Sequence, residues 1–115
     1  MAYLEWGEPE GTKTLICVHG LTRCARDFDR LAAEMAGHGY RVICPDVAGR
    51  GDSDWLQNPA EYAVPTYAKD MVALIAQLDV KAVHWVGTSL GGLIGMTLAA
   101  RPGSPVTRLV LNDVG

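Results

Sequence analysis

Three cysteines among 115 residues, with no paired spacing, exclude a disulfide-stapled scaffold and point to a reducing compartment. An excess of positive charge is also missing. Ten Lys and Arg stand against 13 Asp and Glu, and a formal net charge of −3 offers no basic footprint for nucleic acid or an acidic membrane surface. No apolar run approaches the roughly 20 residues of a membrane span. The opening Met1-Ala2-Tyr3-Leu4-Glu5 lacks the basic region and long apolar stretch of a secretory signal, so a cytoplasmic location is the expectation. Histidine is scarce: His19, His38 and His84 are the three, and none follows residue 84. Internal repeats, low-complexity segments and interdomain linkers are absent.

What remains is 49% hydrophobic, enough for one domain with a core. Short β-rich runs alternate with longer helical patterns, the order of a parallel sheet wound with helices. "TLICV" (14–18) and "RVICP" (41–45) are continuously apolar, as strands covered on both faces should be. Cys17 and Cys44 inside them read as small buried hydrophobes. Cys17, His19 and Cys24 match no common zinc spacing, and no metal is expected. Over 27–39, Phe28, Leu31, Ala32 and Met35 fall on one helical face, with Asp27 as the expected cap and Gly37 as the stop. Tyr67, Met71, Leu74, Ile75 and Leu78 mark a second amphipathic helix. "AVHWVG" (82–87) is the third strand, and "LGGLIGMTLAA" (90–100) is apolar nearly all round, predicting a deeply buried helix. "RLVLND" (108–113) is the fourth strand. The loop at 46–65, rich in Gly, Asp and Pro, has a length usually associated with function.

Gly87-Thr88-Ser89-Leu90-Gly91 fits G-x-S-x-G between a strand and a helix, the pattern of a nucleophile elbow. So tight a turn forces the serine into a strained backbone conformation, and side chains two residues either side would collide. The helix start then aims free N–H groups at an oxyanion forming beside Ser89. Nucleotide-binding turns need G-x-G-x-x-G or G-x4-G-K-[ST], which "GTSLGG" does not supply. "VHGLTR" (18–23), after the first strand, stands where the second oxyanion donor of such an architecture belongs. The N–H groups of Leu21 and Leu90 are the candidates.

Through "VHGL" (18–21), "PDVAGRGDSD" (45–54) and "WVGTSLGG" (85–92), the sequence resembles the α/β-hydrolase family. The resemblance runs along essentially the whole chain but matches only the N-terminal half of that fold. It implies an α/β architecture, a mostly parallel sheet with helices on both faces, in which residues 1–115 form the N-terminal part of one domain. The cap and the C-terminal half lie outside. It further implies a serine hydrolase acting on an ester-like or other activated carbonyl, with Ser89 as nucleophile, Leu21 and Leu90 as oxyanion donors, and no cofactor or metal. Serine at 89 separates the chain from the dehalogenase branch, which has aspartate there. C–C bond hydrolases, hydroxynitrile lyases and cofactor-free oxygenases share the family and stay open.

A serine hydroxyl needs a base, and the base an orienting carboxylate. The family order is Ser, acid, His. Asp113 stands where some relatives carry the acid, and the histidine is expected beyond residue 115. His84 is five residues upstream in the same strand, and His38 belongs to the opposite end of the sheet. The resemblance assigns the turn of His19 to the oxyanion loop. Arg50-Gly51-Asp52 spells an adhesion tripeptide but falls in the family's glycine loop, where Ser53 reads as a turn residue. Asp46 is expected to fix a loop, and Trp85 to pack in the core. The apolar strand at 108–112 would form a bare edge, so the chain is expected to require its missing C-terminal half or a pairing partner there. A small-molecule substrate is the other partner expected, with no nucleic acid and no membrane. The alternative reading is a non-catalytic fragment or fold relative that serves as a binding or structural piece.

Overall fold

A computed structural model of the chain describes residues 2–8, 13–20, 24–47 and 64–112. Five strands make one sheet. They are β1 (Tyr3–Trp6), β2 (Lys13–Val18), β3 (Tyr40–Pro45), β4 (Val83–Thr88) and β5 (Val106–Asn112), in spatial order β1-β3-β2-β4-β5. β1 runs antiparallel to β3, and every other pair is parallel. Three helices connect them: α1 (Asp29–Gly37), entered through a 3-10 turn at Ala25–Phe28, α2 (Val64–Leu78) and α3 (Leu90–Ala99). This is the mostly parallel, helix-wound sheet that the alternating runs predict.

The continuous apolarity of the central strands follows from having cover on both sides. Alternate residues of β2 split between two cores: Ile16 and Val18 join α2 and α3, while Leu15 and Cys17 join α1. The expected face of α2 is buried at every position, with Tyr67, Met71, Leu74, Ile75 and Leu78 all inside. Among the described residues no helix is long and apolar enough to cross a membrane.

Three details differ from expectation. β1 escaped the pattern reading because four residues, Tyr-Leu-Glu-Trp, carry too little periodicity; it is held by register pairs from Tyr3↔Pro45 to Trp6↔Val42. Asp27 does not cap α1. It lies inside the 3-10 turn, and Phe28 takes the cap position with no side-chain hydrogen bond. The helix α3 is buried on one side only, with Leu93 43% exposed, because β2, β4, β5 and α2 all contact the same half of its surface.

Candidate active site

The sheet ends where β4 turns into α3, and Ser89 is the single residue between them. Its backbone has φ 51° and ψ −111°, one of two positive-φ non-glycine positions among the described residues. Such a conformation costs on the order of 1–3 kcal/mol, so surrounding structure must hold it. Ser89 N–H donates to the Asn112 carbonyl at 2.9 Å, tying the turn to β5, and Leu93 N–H donates to the Ser89 carbonyl at 3.1 Å, starting the helix.

The glycines are demanded by space. A Cβ on Gly87 would lie 2.5 Å from the Gly92 nitrogen and closer still to the Gly91 carbonyl. A Cβ on Gly91 would overlap the Val18 carbonyl oxygen and sit 3.0 Å from that of His19. One more turn along, a Cβ on Gly95 would be 2.5 Å from the Trp85 ring nitrogen. The helix therefore lies directly on the sheet. Its first turn touches the exit of β2, which brings the His19-Gly20 segment alongside the serine turn. Trp85 completes the fit: it is fully buried, and its indole N–H donates to the Gly91 carbonyl at 3.0 Å.

The Ser89 side chain makes no capping hydrogen bond to α3, and the first turn carries no acidic residue. By helix geometry the N–H groups of Leu90, Gly91 and Gly92 have no intrahelical acceptor. The positive end of the helix dipole therefore stands beside a serine, with no nearby first-turn carboxylate to neutralise it. An anion forming at this position would be stabilised.

Sequence reading placed His19 and Asp46 near this end of the sheet without their partners. His19 is fully buried. Val47 N–H donates to its Nε2 at 3.1 Å, so the ring proton is on Nδ1, which donates to the Gly20 carbonyl at 2.7 Å. Both ring nitrogens are therefore engaged by backbone, and His19 is not placed to act as a base. Asp46, expected to fix a loop, accepts the Ala25 N–H on Oδ1 at 2.7 Å.

The other histidines are elsewhere. His38 follows α1 at the opposite end of the sheet, before β3 begins. His84 faces the α1 side, where its Nδ1 is 3.3 Å from the Tyr40 hydroxyl. Burial, and then Arg108 and Lys13, hold its pKa below the ordinary histidine value. In the opposite direction, a hydrogen bond with the Cys17 thiol, and then burial, push Cys44 far above the usual thiol range. Among the described residues no group of His, Cys, Asp and Glu could hold a metal. Leu21, Asp113, Ser53 and the Arg50-Gly51-Asp52 tripeptide lie outside the described residues.

Known proteins with the same build are numerous. The curated 3-hydroxybutyrate-oligomer hydrolase of Cupriavidus necator is 60% identical over all 115 residues, which span 39% of its length. The non-heme chloroperoxidase of Streptomyces lividans is 37% identical over 90 residues, 78% of this chain and 32% of that protein. The crystal structure of an α/β hydrolase from Novosphingobium aromaticivorans superposes with a TM-score of 0.88 at 43% identity, covering 98% of this chain and 39% of that one. The chain thus spans about two fifths of the length of the first of these relatives. With the family model for the alpha/beta hydrolase fold matching residues 13–114, the chain belongs to the α/β-hydrolase family.

Proposed function

We propose that the complete protein is a serine hydrolase that cleaves short oligoesters of the 3-hydroxybutyrate type. The observation that carries the reading is Ser89, held at φ 51° on the strand-to-helix turn at the N-terminus of α3, which its side chain does not cap. A strained serine in that position has no packing benefit to offset its cost. The substrate class comes from the 60% identity to the 3-hydroxybutyrate-oligomer hydrolase.

In the proposed reaction Ser89 Oγ attacks the ester carbonyl carbon while a histidine beyond residue 115 takes its proton. Asp113 is the candidate for the carboxylate that orients this histidine. The carbonyl oxygen becomes an oxyanion, which accepts hydrogen bonds from the N–H groups of Leu90 and Leu21. Collapse breaks the ester bond, and the histidine returns the proton to the departing alkoxide. Water, activated by the same histidine, then releases the acid and regenerates Ser89. Removing one oxyanion donor typically costs 10²–10³ in rate.

The remainder of the complete protein is also proposed to pair with β5 and to cover its α1-side face. The exposure of Val110 (57%) on that face supports the cover, and that of Leu111 (39%) on the opposite face supports the pairing, since apolar strand edges are normally paired or covered.

In the complete protein, Ser89→Ala should abolish labelling by a fluorophosphonate and turnover of 3-hydroxybutyrate dimer and trimer. Turnover that survives the substitution removes the nucleophile assignment. Ser89-dependent cleavage of p-nitrophenyl butyrate without cleavage of the oligomers removes only the substrate class.

A further inference from the structure

We infer that Arg108, with His84 beside it, is the docking point for a carboxylate on the segment of the complete protein that covers the cleft between α1 and β5, given the covered face proposed above. The occupant is an amphipathic helix from beyond residue 115, apolar against Val86 and Val110 and acidic where it meets Arg108.

Register fixes what shares this face. In the parallel pairing of β4 with β5, His84 stands opposite Arg108 and Val86 opposite Val110. All four line one cleft of about 200 Å³, whose far wall is Leu31 and Met35 of α1. Arg108 and Val110 are two residues apart, about 7 Å along the strand, and a helix with its side chains is about 10–12 Å across. Whatever covers Val110, 57% exposed, therefore also covers at least the stem of Arg108.

A cation taken out of water needs a counter-charge. Among the described residues Arg108 has none, since the ion pairs there join Arg26 to Asp29 and Arg41 to Glu5. Its neighbours are cationic instead. Arg108 and Lys13 both hold the pKa of His84 down, so both lie close to that ring. The Lys13 ammonium is 5.8 Å from the centre of the Tyr40 ring, and the Tyr40 hydroxyl is 3.3 Å from His84 Nδ1. The α1 wall of the cleft adds only the uncharged Leu31 and Met35. One end of an apolar floor is thus positive, and the surface complementary to it is apolar with a carboxylate at that end. A guanidinium suits such a partner, because its fork can hold both carboxylate oxygens.

Helical form follows from the sheet. The backbone of β4 is already paired on both sides, by β2 and β5, so a segment lying on this face must satisfy its own N–H and C=O groups. That segment is not the connection leaving β5. The chain steps from β2 to β3 through α1 on one face, and from β4 outward to β5 through α3 on the other. Right-handed crossovers put the next outward step on the α3 face again. The covering helix therefore belongs to a later part of the chain that returns over the sheet. The matched part is 39% of the Cupriavidus necator relative, which leaves ample chain for it.

Three substitutions at one exposed position test the charge. In the complete protein, Arg108→Lys should stay within about 2 °C of the parent Tm. Arg108→Gln should lose about 4 °C, and Arg108→Glu about 8 °C or more. Without a facing carboxylate the order reverses, because the new acid would sit among Lys13 and His84 and be the more stable of the two. A zero-length carbodiimide names the partner. In Arg108→Lys it should join the introduced amine to an Asp or Glu beyond residue 115 of the same chain, an amide forming with loss of water. The parent should lack this link. Arg108→Glu no less stable than Arg108→Gln overturns the inference, as does a link confined to residues 1–115, a link between two copies of the chain, or no link. If Arg108→Glu does not fold, the cross-link decides. The cover and the carboxylate fail separately. Val110→Lys without effect on stability removes the covered face, whereas a costly Val110→Lys beside those Arg108 results removes only the ion pair.

Discussion

On the side of the sheet carrying α2 and α3, Ile16, Val18, Ile43, Trp85, Ile94 and Leu98 meet in one core with exposures of 1% or less. On the side carrying α1, the same sheet is closed only over β2 and β3. There β4 and β5 border a cleft of about 200 Å³, lined by Leu31 and Met35 of α1, His84 and Val86 of β4, and Arg108 and Val110 of β5. Along β4 the difference is visible residue by residue: Val83, Trp85 and Gly87 are buried, while His84, Val86 and Thr88 are only partly so. The closed side carries the serine turn, because α3 begins at that turn and packs on this face. Everything that strains Ser89 into place (the two glycines, Trp85, the pairing of Asn112 with the turn) is supplied by residues of the closed side or of the sheet itself. The cleft on the open side is lined mostly by apolar residues, among them Val86, half-buried, and Val110, 57% exposed.

Breaking the closed side at its tightest point should have the largest effect. Gly91→Ala places a methyl group on the Val18 carbonyl, which is backbone and cannot swing away. We expect a loss of 3 kcal/mol or more, at or above the top of the roughly 1–3 kcal/mol range for overpacked sites. A fluorophosphonate should also label Ser89 far more slowly, because α3 must shift. Denaturant unfolding of the complete protein together with a labelling time course checks both. A fully active, equally stable variant would show that the contact between α3 and the β2 exit is not needed.

Trp85→Phe is a smaller test of the same side. It keeps an aromatic ring in the core and deletes a second donor to the Gly91 carbonyl, which retains its helical partner, the Gly95 N–H. The expected cost is about 1–3 kcal/mol, from the lost hydrogen bond and the space left by the smaller ring. Equilibrium unfolding measures it, and a cost near zero would mean that water replaces the indole N–H.

Val110→Lys addresses the open side. If that face is covered in the complete protein, as proposed, the substitution should cost about 1.5 kcal/mol from lost apolar burial. If the face stays open, the change should fall within about 0.5 kcal/mol. The measured value thus distinguishes a covered β5 from a bare one.

The smallest expected effect is in the titration of His84. Its pKa in the folded chain is depressed, so the neutral form is favoured by folding. The associated stability is present above the unfolded histidine value, about 6.5, and is lost as pH falls through that value toward the lower folded one. Arg108→Gln removes the second cause of the depression. The His84 pKa should move up toward its ordinary value, and the acid-side loss should shrink. An NMR titration of the ring follows this directly, and an unchanged midpoint would show that the Arg108 charge is screened from His84.

The order of elements was legible along the chain because short apolar runs and amphipathic periods are local. The faces of α2, the buried strands at 14–18 and 41–45 and the expected stop of α1 at Gly37 are all found. The strain at Ser89 was legible for the same reason: the crowding between residues 87 and 91 is a contact four positions apart, and only glycine at both ends relieves it. The exposed side of α3 was not legible, since apolar Leu93 and Met96 read like core residues until neighbouring elements are in place.

Short-range sterics therefore determined the serine turn within five residues of sequence, and tertiary structure decided what surrounds it. The imidazole of His19 finds its acceptor role with Val47, 28 residues away, and Ala25 reaches Asp46 across 21 residues. Nothing periodic links those positions. They meet because β2 and β3 lie side by side in the sheet and leave it at the same end, so that hydrogen bonds unreachable along the chain become nearest-neighbour contacts across it.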